Sequence, residues 1–128
     1  MDPILLVDDS AAVHRLVDPI VARLGRELVH AYDGAEALRL VSTAEFSLVI
    51  LDLYMPILDG MSFLRMLPGA GSSSQLPVLV ISSSGEDEDV RRAFGFGARA
   101  FLQKPFSPAL LEETLRRILG QERLVSVR

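Results

Sequence analysis

The chain is 128 residues long, 49% hydrophobic and 23% charged, with a formal net charge of −4 at pH 7 and no Cys or Trp. That length suits one domain with an aliphatic core, and the lack of Cys excludes disulfides, thiolate metal sites and thiol catalysis, in keeping with a cytoplasmic location. Arg residues scattered through an acidic chain do not make the basic stripe that nucleic acid requires, and apolar runs of about five to seven residues fall far short of the roughly 20 that span a bilayer.

In chain order, strand and helix patterns alternate. Ile4–Val7 is an unbroken apolar run and reads as a buried strand. Ser10 then suits a helix N-cap; Val13, Leu16, Val17, Ile20, Val21 and Leu24 recur at helical spacing, and Gly25 stops the helix. Pro19 lies inside this helix, removes the bond to the Arg15 carbonyl, and is expected to kink or locally open it. His14 falls on the helix's polar side and His30 near the end of a short second strand, 27–31, and neither has a partner at metal-ligand spacing. Asp33-Gly34 turns into a helix carrying Ala37, Leu38 and Val41. The third strand, 47–52, is apolar without alternation until its last residue, as a strand buried on both faces should be.

A loop fixed by Pro56 spans 53–59, followed by a short helix, 60–67, and a Gly- and Ser-rich connection, 68–75, expected to be mobile. Val78–Ser82 is the fourth strand. The next helix opens on Glu86-Asp87-Glu88-Asp89, which suits the positive end of a helix dipole; Arg91 and Arg92 read as a solvated face, and Gly95 and Gly97 weaken the helix end. Ala100–Gln103 is the fifth strand, and Ser107-Pro108 caps a last helix that turns Leu111, Leu115 and Ile118 inward. Five βα units imply an α/β domain on a parallel sheet over 1–120, with 121–128 a short tail or the start of a linker.

Charge sits where the apolar runs stop. Asp8 and Asp9 follow the first strand, Asp52 ends the third, and Lys104 follows the fifth. In open α/β folds the carboxyl ends of parallel strands border the ligand crevice, so these residues converge there. Carboxylates about 4 Å apart repel by roughly 4 kcal/mol per pair at an effective dielectric near 20, so the cluster calls for a cation, a raised pKa or water. A divalent ion satisfies it most simply.

The set Val7-Asp8-Asp9-Ser10, Leu51-Asp52-Leu53-Tyr54-Met55-Pro56 with Asp59-Gly60, residues 77–82, Gly97-Ala98 and Lys104-Pro105-Phe106, in this order and spacing, resembles the response-regulator receiver domains of two-component signalling, similar to the single-domain chemotaxis regulators. The resemblance implies a flavodoxin-like (βα)5 fold with strand order 2-1-3-4-5. It implies Asp52 as the phosphoacceptor, taking a phosphoryl group from a sensor histidine kinase or a histidine phosphotransfer protein. It further implies Mg²⁺, replaceable by Mn²⁺, on Asp9, Asp52 and the Tyr54 backbone carbonyl, with Asp8 acting through water. Ser82 and Lys104 would bind the phosphoryl oxygens, with Lys104 aimed by a cis bond to Pro105. Ser82 and Phe101 would form the switch, Phe101 acting sterically because it has no tip hydroxyl. Tyr54 and Ser84 would tune dephosphorylation, and since neither can readily orient a water the phosphorylated state should be long-lived.

By the same resemblance the chain is a signalling phosphoacceptor and not an enzyme in its own right, assisting only its own phosphorylation and dephosphorylation. Its output is expected through a downstream protein on the face of the fourth helix, fifth strand and fifth helix, with a homodimer on phosphorylation compatible and no membrane or nucleic-acid contact. It would be a stand-alone regulator or a receiver from a longer protein. Other classes fit less well. A haloacid-dehalogenase-type phosphatase needs an acid two residues after its aspartate, where Tyr54 stands, and Asp8-Asp9 would repel the phosphate of a flavin or nucleotide. An interaction module with the same fold but no phosphorylation would have no need of the complete acid set.

Overall fold

The computed structural model describes residues 1–69 and 76–120. Five parallel strands, β1 (Ile4–Val7), β2 (Leu28–Ala31), β3 (Leu48–Asp52), β4 (Val78–Ser82) and β5 (Ala100–Gln103), form one sheet in the order β2-β1-β3-β4-β5. The helices are α1 (Ala11–Arg23), α2 (Gly34–Thr43), α3 (Gly60–Met66), α4 (Asp87–Gly95) and α5 (Pro108–Leu119), and a 3-10 turn follows α3 at Leu67–Gly69. The expected strand starts at Glu27 and Ser47 lie just outside β2 and β3, an offset usual for fraying ends. The expected tail, 121–128, and most of the 68–75 connection lie outside the described residues.

The strand pattern decides the layers. Successive side chains point to opposite faces. Leu5, Val7, Val49, Leu51, Val78 and Val80 therefore pack on one face against α2, α3 and α4. Ile4, Leu6, Ile50, Leu79 and Ile81 pack on the other against Val17, Ile20 and Val21 of α1 and Leu111, Leu115 and Ile118 of α5. Both faces are covered, which is why the central runs carry no polar alternation.

Ser10, Asp33, Asp59 and Ser107 each cap the following helix by accepting from the backbone N–H three residues on. Glu86 precedes α4 without such a bond, leaving its acidic first turn to face the helix dipole. Gly25, at φ +74, ends α1 in the left-handed region. Pro19 faces solvent and α1 runs through it as one element, so the expected opening does not divide the helix. Leu16 is 38% exposed, off the buried stripe where helical spacing had placed it.

Register brings the strand-end residues together. Val7 pairs with Leu51, Asp52 with Ile81, and Ser82 with Gln103. Asp8 is thus level with Asp52, while Ser82 and Lys104 stand one step beyond their pairs along the same edge. The start of α3 is pressed against this edge: Gly60 N donates to the Leu53 carbonyl at 2.8 Å, and a Cβ on Gly60 would lie 2.1 Å from the Asp52 carbonyl oxygen. By contrast nothing lies within 4 Å of a Cβ on Gly95. Gly60→Ala is therefore expected to lose about 1–3 kcal/mol through overpacking, whereas Gly95→Ala gains about 0.5–1 kcal/mol by helix propensity. Urea midpoints of the two variants moving in opposite directions would bear this out; a neutral Gly60→Ala would contradict the close approach.

Candidate functional site

Each acid at the edge has a different local environment. Asp8 is fully buried; its Oδ1 accepts from the Ser10 backbone N–H at 2.8 Å and its Oδ2 from Lys104 Nζ at 2.9 Å. Asp52 is buried beside it, with Oδ1 3.5 Å from the same Nζ. Asp9 is exposed at the rim. The three carboxylates each offer an oxygen within 4.8 Å of the others. One lysine cannot balance three such charges. Burial above all, then the charge of Asp8 and, less, that of Asp9, push the Asp52 carboxyl up from 3.8 to about 6 against the pull of Lys104.

This is an all-oxygen, net-negative donor set open on one side, and it suits a small hard divalent cation. With bonds of about 2.1 Å, octahedral ligand oxygens lie roughly 3–4.2 Å apart, so little closure is required. The Lys104–Pro105 peptide is cis.

The other expected site residues lie around this centre. Ser82 is buried at the end of β4, and its Oγ accepts from the Ser84 backbone N–H at 3.1 Å, an arrangement that keeps the hydroxyl proton free to be donated. Tyr54 is 55% exposed in the β3–α3 loop, and its Oη donates to Asp89 Oδ2. Ser84 Oγ donates to the same oxygen. These bonds hold the Asp89 carboxyl below the usual range, and hydrogen bonding to Asp89 raises the Tyr54 hydroxyl. Phe101 is half-buried on β5 against the α2–α4 side of the core. In the same β3–α3 loop Ile57 sits at φ +70, a region that costs a β-branched residue about 1–2 kcal/mol.

The family model of the response regulator receiver domain matches residues 4–116. The chain belongs to the response regulator receiver domain family. It is 38% identical over 112 residues, 88% of this chain and 47% of the other, to YcbL, an uncharacterized transcriptional regulatory protein of Bacillus subtilis. The receiver thus spans about half the length of the curated relatives it matches. Among solved structures, the chemotaxis protein CheY4 of Vibrio cholerae is 31% identical with a TM-score of 0.83, covering 93% of this chain and 99% of that one. The receiver domain of the Pseudomonas aeruginosa sensor histidine kinase PA1611, solved with a magnesium ion in its active site cleft, is 25% identical with a TM-score of 0.84 over 94% of this chain and 98% of that one.

His14 stands differently in the receiver from the sequence expectation, whereas His30 lies near the end of β2 as expected. His14 does not face solvent: it is buried, stacked on Tyr32 with ring centroids 4.1 Å apart. Its Nε2 lies 2.8 Å from the Asp8 carbonyl, which can only accept, so Nε2 donates, and Nδ1 shares a hydrogen bond with His30 Nδ1 at 2.6 Å. The pair props the turn that carries Asp8 and Asp9. The signal was present in the spacing, because His14 lies three and seven residues before Val17 and Val21 of the buried stripe. Arg91 and Arg92 are exposed, as expected, and Arg92 also borders a cleft of about 180 Å³ between α3 and α4.

The raised Asp52 value has a definite sign. The folded receiver retains a proton that the unfolded chain has released above pH 3.8, so the metal-free protein loses stability as pH rises from about 4 through about 6. Asp52→Asn lacks this loss. In chelator-treated protein its stability advantage over the wild type is expected to grow across that window and level off near pH 7, on the order of 2 kcal/mol. Urea unfolding at several pH values reads it; a difference that does not vary with pH would contradict the crowded site.

Proposed function

We propose that Asp52 accepts a phosphoryl group from the phosphohistidine of a sensor histidine kinase or a histidine phosphotransfer protein, and that the aspartyl phosphate switches a protein-binding face. The observation that carries this reading is the buried Asp52 carboxylate with Lys104 Nζ 3.5 Å away, Asp8 level with it just after β1 and Ser82 at the end of the adjacent β4. An Asp52 oxygen bonds to phosphorus as the phosphorus–nitrogen bond breaks, and the imidazole leaves with the electron pair. Lys104 contributes a point charge to the phosphoryl oxygens and Ser82 its free hydroxyl proton.

Asp9, Asp52 and the Tyr54 backbone carbonyl would hold Mg²⁺, or Mn²⁺ in its place, with Asp8 acting through water. Bound there, the ion offsets the crowded carboxylates and the charge on the transferring phosphoryl group. A magnesium ion in the cleft of the PA1611 receiver domain supports this assignment. Phe101, half-buried behind Ser82 on the neighbouring strand, would move inward as the Ser82 hydroxyl engages phosphate, re-shaping the α4–β5–α5 face. The protein reading that face supplies the output; a homodimer formed on phosphorylation would use it equally. The chain acts here as a phosphoacceptor and not as a turnover enzyme. No helix among the described residues is long and apolar enough to cross a membrane, and the kinase partner would be met in the cytoplasm.

With a small acyl-phosphate donor and Mg²⁺, the wild type is expected to gain one hydroxylamine-labile phosphoryl group by intact-mass measurement. Asp52→Asn should fold and gain none, and Asp9→Ala should require more Mg²⁺ for the same rate. Labelling of Asp52→Asn at wild-type yield would assign the acceptor elsewhere. Mg²⁺ at about 100 times its dissociation constant should add about 2.7 kcal/mol to the wild type's stability. Coincident melts with and without the ion would remove the metal from this reading.

A further inference from the structure

Two hydroxyls from the loops on either side of Asp52 converge on one carboxylate oxygen. Tyr54 Oη in the β3–α3 loop donates to Asp89 Oδ2 at 2.5 Å, and Ser84 Oγ in the β4–α4 loop donates to the same oxygen at 2.8 Å. Asp89 itself belongs to neither loop; it stands in the first turn of α4. Its neighbours Asp87 and Glu88 are exposed, whereas Asp89 is half-buried by the bridge it makes. Ser84 is in turn fixed at its backbone, where its N–H donates to Ser82 Oγ at 3.1 Å, and its own Oγ accepts from the Glu86 N–H at 3.3 Å. A run of hydrogen bonds therefore leads from Ser82, beside the acceptor aspartate, through Ser84 and Asp89 to the tip of Tyr54.

The surroundings show what the bridge closes. The Asp8 turn flanks Asp52 from β1, and Lys104, just after β5, reaches across to both acids. On the α3–α4 side the two loops follow the adjacent strands β3 and β4, and Tyr54, Asp89 and Ser84 span the gap between them. The Tyr54 ring is more than half exposed, so core packing does not hold it. Beside it lies the cleft of about 180 Å³ bordered by Tyr54, Asp89, Arg65 and Arg92, into which the ring is free to swing only when its bond to Asp89 is broken.

We propose that Asp89 is a positioning residue for the aspartyl phosphate, its carboxylate holding the Tyr54 ring and the Ser84 hydroxyl across the approach to Asp52 and so prolonging the phosphorylated state. This rests on Asp52 being the phosphoacceptor. The state ends when the oxygen of a water bonds to phosphorus and the bond from phosphorus to the Asp52 oxygen breaks. The electron pair returns to the carboxylate, and the water's proton leaves with inorganic phosphate. Water must enter in line with that breaking bond, so a ring tethered over the entry slows hydrolysis without taking part in it.

The test phosphorylates the wild type, Asp89→Ala, Asp89→Asn, Tyr54→Phe and the double variant Asp89→Ala/Tyr54→Phe with an acyl-phosphate donor and Mg²⁺, removes the donor, and follows phosphoryl loss by intact mass. Asp89→Ala and Tyr54→Phe are each expected to decay about fivefold faster, and the double variant no faster than the faster single, because both remove one tether. Asp89→Asn keeps an acceptor oxygen and should restore most of the wild-type lifetime. Equal urea midpoints for the variants would separate positioning from lost folding. Wild-type lifetimes in Asp89→Ala and Tyr54→Phe, or effects that multiply in the double variant, would overturn the tether alone. A wild type that takes up no phosphoryl group would overturn the phosphoacceptor reading and the inference with it.

Discussion

Three carboxylates gathered around one lysine impose the constraint that the rest of this receiver accommodates. Asp8 and Asp52 are buried, Lys104 reaches both, and Asp9 waits at the rim. A protein selected for stability alone would replace such a cluster with apolar side chains, since ion pairs taken out of water rarely recover their lost hydration. The raised Asp52 carboxyl is the visible cost. Reactivity is what the cost supports: an imperfectly balanced, partly desolvated carboxylate next to a cation is a better acceptor for phosphorus, and a better partner for a divalent ion, than a solvated one.

The fold is arranged so that this cluster cannot relax. Parallel pairing fixes β1, β3, β4 and β5 in one register, and both sheet faces are buried, so a slip of one residue would turn every apolar side chain of a strand to the wrong face. The turn after β1 is held twice: Asp8 accepts from the Ser10 N–H, and the Asp8 carbonyl accepts from His14. From the opposite side α3 leans on the Asp52 carbonyl at Gly60. Rigid strands thus place the acids, while Tyr54 and Ser84 stand on the loops beyond them, where the chain can vary without disturbing the register.

Much of this was legible in the chain. Apolar runs gave the strands to within a residue: β1 and β3, covered on both faces, are unbroken runs that a charge follows or ends, while β2 carries His30, β4 ends on Ser82 and β5 on Gln103. The strand order came only from the resemblance to receiver domains that the motifs carry, and the sheet has that order. Side-chain bonds between residues far apart in sequence, outside the strand-end set of acids, Ser82 and Lys104, were not legible. Tyr54 and Asp89 are 35 residues apart, and nothing local announces their bond, since Asp89 reads as one more acid suited to a helix dipole. His14 was misplaced for a different reason: a histidine counts as polar until a partner for each ring nitrogen is known, and one of its partners is a backbone carbonyl. Ile57 at φ +70 is likewise invisible, because the residue type argues against the conformation that the loop imposes.

Whether a cation relieves the crowding at Asp52 is read most directly from proton release on Mg²⁺ binding. Titration calorimetry in buffers of different protonation enthalpy counts the protons displaced. With the Asp52 carboxyl near 6, binding at pH 6 should expel about half a proton per ion and binding at pH 8 close to none. Binding without proton release at pH 6, or no binding at either pH, would contradict that relief.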